Sequence, residues 1–252
     1  MKHFKKPNKN NKELIYGKNP VREALASKRL RVVYVSDSFT DSTFLEALKS
    51  SNVQIIRKTG GELNSMVDGV HQGLVAEVKP YEYSSLEEII RLGKSKTNPV
   101  IVMLDGINDP HNLGAIIRSS DVFGVTGIIV KKVNQVSLNS TVAKTSAGAI
   151  NYVKVAQVAN LNNAIQTLKD NGYWIVSTDG SGNYNYQDLK YDFPVVVVIG
   201  SEGNGVSPLV LKNSDYIVKI PMFGHVNSLN ASVAAAILLS RISETIANIH
   251  YS

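Results

Sequence analysis

The 252-residue chain contains no cysteine and a single tryptophan. The missing thiols exclude disulfides, thiolate nucleophiles and cysteine metal sites together. No apolar run approaches the roughly 20 residues of a membrane span. The basic start, MKHFKKPNKNNK, lacks the hydrophobic segment that follows the charges of a secretory signal. A cytoplasmic protein with no membrane partner is therefore expected, and the glycosylation-like patterns at Asn139 and Asn230 carry no weight. His3, His71, His111, His225 and His250 show no metal-ligand spacing. With no serine in a nucleophile elbow either, neither a metal nor covalent catalysis is expected. The scattered tyrosines and phenylalanines form no RNA-stacking motif of the four-stranded-sheet type.

What is present describes a globular protein with a sizeable core, 43% hydrophobic and 19% charged. Its net charge of +6 is unevenly placed. Residues 1–12 hold five lysines and no acid, whereas residues 99–252 hold ten basic and ten acidic side chains. The excess thus sits on a Lys/Asn-rich tail that cannot bury a core. Such a tail either contacts nucleic-acid phosphate without reading sequence or keeps the protein soluble.

The pattern beyond the tail predicts two α/β regions. Residues 13–80 alternate helix and strand signals: NPVREALAS, with Asn19 as cap before Pro20, then RVVYVS, DSTFLEALKSS, VQIIRK, GGELNSMV and GLVAEVKP. Residues 81–98, polar with one short helix, read as a linker. From residue 99 to 252 the short apolar runs VIVMLD, GIIV, YWIVST, PVVVVIG and DYIVKI suit strands of a parallel sheet buried on both faces. A long helix from about Ser228 to Ile249 closes the chain.

Three stretches of this second region are candidates for chemistry. IGSEGNGVS, residues 199–207, follows the most hydrophobic strand, where ligands bind in open α/β sheets. Its glycines do not follow the dinucleotide spacing, and no phosphate-loop motif occurs in the chain. Glu202 is its one carboxylate, on either a ligand loop or a tight turn. In LDGINDPHNLGAIIRSSDVFGV, residues 104–125, Asn112 is placed to cap a helix starting at Leu113. Gly114 lies one turn from Arg118 and leaves open space beside the guanidinium, either lining a cleft or packing below a surface arginine. In IPMFGHVNSLNASVAAAILLS, residues 220–240, Ser228 or Asn230 caps the last helix, whose first turn then offers free N–H groups to a polar ligand.

Taken together and in order, NDPHNLGAIIRSSDVFG, VVVVIGSEGNGVS and IPMFGHVNSLNASVAAAI resemble the three signature motifs of the SpoU (TrmH-like) branch of the SPOUT RNA methyltransferases. The N-terminal IYGKNPVREAL and HQGLVAEV resemble the ribosomal-protein-like (L30e-type) RNA-binding domain of the 23S rRNA guanosine 2'-O-methyltransferase subgroup. The resemblance implies an α/β SPOUT domain with a parallel sheet and a deep trefoil knot, a homodimer, and S-adenosyl-L-methionine as cofactor. It implies methyl transfer to a ribose 2'-hydroxyl of RNA, with 23S rRNA or an assembling large subunit as partner. Rivals are a tRNA methyltransferase of the same branch and a non-catalytic rRNA-binding assembly factor. Matched position by position, the cofactor would be held at Thr178, Gly180, Ile199, Gly200, Gly203, Ile220, Met222, Ser228 and Leu229. The catalytic set would be Arg118, Asn112, Glu202, Ser228 and Asn230. Arg118 would hold the ribose and stabilise charge on its oxygen, because a guanidinium with an ordinary pKa above about 12 is a poor base.

Overall fold

The computed structural model describes residues 13–251; the basic tail, 1–12, lies outside the described residues. Backbone contacts divide the chain into two compact units, with the boundary between Tyr81 and Glu82.

The first unit is a four-stranded sheet flanked by helices. Its strands β1 (Glu13–Tyr16), β2 (Leu30–Ser36), β3 (Gln54–Lys58) and β4 (Leu74–Val78) lie in the order β1-β4-β2-β3. β4 runs antiparallel to both neighbours, and β2 pairs with β3 in parallel. Helices α1 (Lys18–Ala26) and α2 (Ser42–Ser50) bring Val21, Ala24 and Leu48 onto Val33, Val35, Leu74 and Ala76 of the sheet. Helix α3 (Gly60–Met66) starts with a full capping box, Thr59 and Glu62 satisfying each other's backbone N–H.

Asn19 does not cap α1. The N-cap is Gly17, at φ 90°, and the first helical N–H, that of Lys18, donates to Gln72 Oε1 at 3.0 Å. A side chain from the loop before β4 thus satisfies a donor that sequence reading assigns to a local cap. Strand β1 is a further element that the pattern missed.

The second unit carries seven parallel strands in the order β7-β6-β5-β10-β8-β11-β9. The five anticipated ones are β5 (Val100–Asp105), β6 (Gly127–Lys131), β8 (Trp174–Thr178), β10 (Val195–Gly200) and β11 (Tyr216–Lys219). Two edge strands, β7 (Val155–Val158) and β9 (Tyr184–Asn185), are too short to announce themselves. Helices α4 (Leu86–Gly93), α7 (Leu161–Asp170) and α8 (Pro208–Lys212) bury Ile89, Ile90, Leu168 and Val210 against Ile101, Met103, Val196 and Val198. Since side chains alternate along a strand, Val102, Leu104, Val195 and Val197, all buried, point to the opposite face. There lie α5 (Pro110–Val122), α6 (Ser140–Thr145) and α9 (Ala231–Tyr251). Among the described residues no helix is long and apolar enough to cross a membrane.

The expected linker is mostly not one. Its short helix is α4, whose buried isoleucines belong to the core of the second unit. Tyr81 is fixed within the first unit, its ring 3.3 Å from the Arg29 guanidinium carbon. Tyr83 is fixed within the second, its hydroxyl accepting the Leu138 N–H at 2.8 Å. Burial pushes the Tyr81 phenol up to about 12. Polar composition misled the reading because an amphipathic helix looks polar whenever its buried stripe is short.

Gly114 also departs from expectation. It is buried on α5, and a Cβ there would lie 2.6 Å from Thr145 Cβ and 2.9 Å from the Val142 carbonyl oxygen. The space beside it is filled by α6, and glycine is what lets the two helices close. Alanine is the better helix former by about 1 kcal/mol, but here overpacking costs about 1–3 kcal/mol. Gly114→Ala should therefore lower the thermal midpoint; an unchanged or raised midpoint would show the contact to be slack.

Candidate active site

The site forms where the strand order turns. β5 and β10 are neighbours whose onward connections run to opposite sides of the sheet, which leaves a crevice at their C-terminal ends. The last residues of the two strands, Asp105 and Gly200, stand side by side in register. The chain folds back immediately after Gly200. Reciprocal bonds between Ser201 and Gly205, 3.1 and 2.9 Å, close the turn. A Cβ on Gly200 would sit 2.0 Å from the Gly205 carbonyl carbon, so no other residue allows that turn.

Asp105 anchors the far end of this loop. Its Oδ2 accepts the Ser207 N–H at 2.8 Å, and its Oδ1 meets Lys131 Nζ at 2.7 Å. Burial pushes this carboxyl up, but Lys131 and Ser207 outweigh that and hold it below the usual aspartate range. Sequence reading missed the residue. The one available signal was an acid ending an otherwise apolar strand.

Three of the expected catalytic residues meet directly. Asn112 does not cap α5; Asp109 does, accepting from His111 N at 2.8 Å, with Pro110 in the first helical position. Asn112 is instead buried inside the first turn and donates from Nδ2 to Glu202 Oε1 at 2.8 Å. Asn230 caps α9, its Oδ1 accepting the N–H groups of Ser232 and Val233 at 2.9 and 3.3 Å. That fixes the amide's orientation, so its Nδ2 donates both to Asn112 Oδ1, at 2.9 Å, and to Glu202 Oε1. The other oxygen of Glu202 has no hydrogen-bond partner among the described residues.

Beside this cluster opens a cleft of about 660 Å³. It is lined by Thr178 and Gly180 after β8, Ile199, Gly200, Glu202 and Gly203 at the end of β10, Ile220 and Met222 after β11, and Ser228 and Leu229 before α9. All nine residues expected at a cofactor thus face one space. Asp179, between the expected Thr178 and Gly180, lines it too, as does Lys219, which lies outside the expected set. Ser228 is exposed and makes no side-chain bond among the described residues. Arg118 is not brought to the cluster: it is exposed on α5, without a hydrogen bond or ion pair among the described residues, and does not line the cleft.

A parallel doubly wound sheet with a loop-lined cleft at its switch point defines the class: an α/β protein whose cleft is walled by the turns that follow its strands. The family follows from comparison. Residues 99–240 match the SpoU rRNA Methylase family, and residues 14–84 match the domain described as RNA 2'-O ribose methyltransferase substrate binding. A protein of Staphylococcus saprophyticus bearing the name TrmH family tRNA/rRNA methyltransferase is 41% identical over 91% of this chain and 94% of its own. A Staphylococcus aureus protein of the same name is 39% identical over the same shares. Among solved structures, the SpoU methyltransferase AviRb from Streptomyces viridochromogenes, in complex with AdoMet, superposes with TM-score 0.78 at 23% identity, covering 93% of this chain and 90% of that one. The A. aeolicus TrmH/SpoU tRNA modifying enzyme gives TM-score 0.57 at 28% identity, covering 66% of this chain and 84% of its own. The chain belongs to the SpoU rRNA methylase family, a family of RNA methyltransferases.

The Asp105 pair sets a pH dependence. A carboxyl held below its unfolded value contributes stability fully above about pH 4, and the contribution is lost as pH falls through the folded value. Asp105→Asn should lower stability by about 2–3 kcal/mol at pH 7, since Lys131 and the Ser207 N–H lose a charged partner. The deficit against wild type should shrink below pH 4 in denaturant titrations; a deficit independent of pH would exclude the ion pair as its source.

Proposed function

We propose that the protein transfers a methyl group from S-adenosyl-L-methionine to a ribose 2'-hydroxyl of RNA, a guanosine of 23S rRNA being the favoured target. The observation that carries the reading is the clamp of Glu202 between Asn112 and Asn230 at the mouth of the cleft. It joins the three motif segments at one point.

The cleft fits the cofactor. Its volume lies within the range of about 300–1,000 Å³ typical of small-molecule sites, and its lining comes from the turns after β8, β10 and β11 and the segment before α9. Cβ atoms on Gly180 and Gly203 would meet nothing within 4 Å, so at both positions the open space belongs to the cleft. The charged side chains lining it, Asp179, Glu202 and Lys219, sum to one negative charge, complementary to the single net positive charge of the ligand. When bound, the cofactor supplies a methyl group already activated on a sulfonium. What the chain must add is position, an answer to the charge that develops on the ribose oxygen, and a place for its proton.

Arg118 supplies the cation that grips the ribose and its phosphate and stabilises the developing alkoxide. Glu202, with one oxygen fixed by two amides and one unpartnered, is the chain's own proton acceptor. Ser228 positions the ribose. Because Arg118 stands outside its own chain's cleft, the reading includes a homodimer in which each site takes Arg118 from the partner subunit. A deep trefoil knot belongs to the same reading and is supported by the chain path: after β10 the chain places β11 beyond β8, then returns through Ile220–Asn230 to the loop it left. The first unit, read as an L30e-like domain, would hold RNA. Its match to a substrate-binding domain favours rRNA, because the tRNA-modifying structure from A. aeolicus aligns with only 66% of this chain.

Incubation with labelled S-adenosylmethionine and either 23S rRNA fragments or tRNA, followed by mapping of sites that resist alkaline cleavage, should yield a single protected rRNA position. Protection in tRNA alone would replace the substrate, and no incorporation into either RNA would leave a non-catalytic binder. Arg118→Ala and Glu202→Gln should each lower the rate at least about 100-fold without changing the oligomeric state. Mixing the two dead variants under subunit exchange should restore about a quarter of the activity, since half the dimers then hold one intact shared site. No recovery in mixed dimers would place both residues in one chain's site.

A further inference from the structure

Resting on the cleft's reading as the methyl-donor site, the geometry points to Asp179 as the side chain that recognises the donor. It is a specificity-determining residue, whose carboxylate accepts a hydrogen-bond donor of the ligand. Only three charged side chains line the cleft, Asp179, Glu202 and Lys219, and only the two acids can accept from a ligand's donor. Asp179 follows β8 directly, and its N–H donates to the Val218 carbonyl at 3.0 Å, so its main chain is locked between β8 and β11. Its side chain is locked as well. Oδ1 accepts from the Ser181 N–H at 2.9 Å and from the Ser181 hydroxyl. Oδ2 is left over, without a hydrogen bond or ion pair among the described residues.

That free oxygen lies close beside the glycine turn, on the wall of the cleft. A Cβ built on Gly205 would lie 3.8 Å from Oδ2, and Gly205 holds φ +64°. The carboxylate is half-buried, oriented in advance, and lacks a cation, although Lys219 lines the same cleft. A fixed carboxylate oxygen of this kind gains most from a charge-assisted donor supplied by a ligand, and pre-orientation removes the ordering cost of meeting it. The other carboxylate in the cleft, Glu202, is engaged by Asn112 and Asn230. The two acids thus divide the work: Glu202 serves the reacting end and Asp179 holds the donor molecule. The ligand offers two kinds of donor that suit Oδ2, a ribose hydroxyl and the α-ammonium group.

Calorimetry with the full-length protein distinguishes them. S-adenosylhomocysteine carries both donors, whereas 5'-methylthioadenosine keeps the ribose and lacks the ammonium. Asp179→Asn preserves the turn to Ser181 and removes only the charge. It should weaken S-adenosylhomocysteine at least about tenfold, as loss of a charged hydrogen bond does. Equal weakening of 5'-methylthioadenosine assigns the ribose; weakening of S-adenosylhomocysteine alone assigns the ammonium. Wild-type affinity for both ligands in the variant overturns the proposal. If the variant does not reach the wild-type melting profile, Asp179→Ser carries the same comparison. Failure of the wild-type protein to bind either ligand would overturn the cofactor reading itself, and this assignment with it.

Discussion

Three segments of the second unit meet at one shared carboxylate oxygen. Glu202 Oε1 receives two amide donors, from Asn112 on the first turn of α5 and Asn230 at the cap of α9. Those three residues are 90 and 28 positions apart in sequence, and each belongs to a different loop at the sheet's C-terminal edge. Neither asparagine can be rotated freely. Turning Asn230 over would point its NH2 at the helix N–H groups it now accepts, and turning Asn112 over would set an oxygen against the carboxylate. The network is fully directional, and its buried member is Asn112, which would lose both of its side-chain partners together.

Asp105 does a related job one layer below. The glycine turn after β10 leaves the sheet at Gly200 and must rejoin the fold near Ser207. Asp105 receives the returning N–H, while Lys131 supplies the charge that makes a buried carboxylate tolerable. The turn is thus held at both ends, by backbone at Ser201–Gly205 and by an ion-paired acid at Ser207. A loop fixed in this way can present its backbone to a ligand without an ordering cost at each binding event.

This architecture explains what was legible in the sequence. Strands β5, β6, β8, β10 and β11 are apolar runs buried on both faces, so hydropathy alone finds them. The motif loops were also found, because glycine, asparagine and serine at strand ends mark positions where backbone geometry matters. Interactions between distant elements were not legible. Gln72 capping α1, Asp105 holding Ser207, and α6 filling the space at Gly114 each depend on a partner that no local window contains. Asn19 and Asn112 were both assigned as caps for the same reason: local pattern names a residue suited to capping, but it cannot see that Gly17 or Asp109 already holds the place.

The same limit bears on two charged residues. Asp179 sits within the expected loop between Thr178 and Gly180 but has no role of its own there, since a lone aspartate between threonine and glycine reads as a turn residue, and it does make the turn to Ser181. Its second oxygen acquires meaning only because β11 and the Gly205 turn arrive beside it. Arg118 shows the converse. The motif marks it strongly, yet its own chain gives it neither a partner nor a place in the cleft. An arginine already neutralised by Glu202 would have little charge left for a ribose oxygen, so in the proposed homodimer its separation within the single chain would leave its full charge for the shared site.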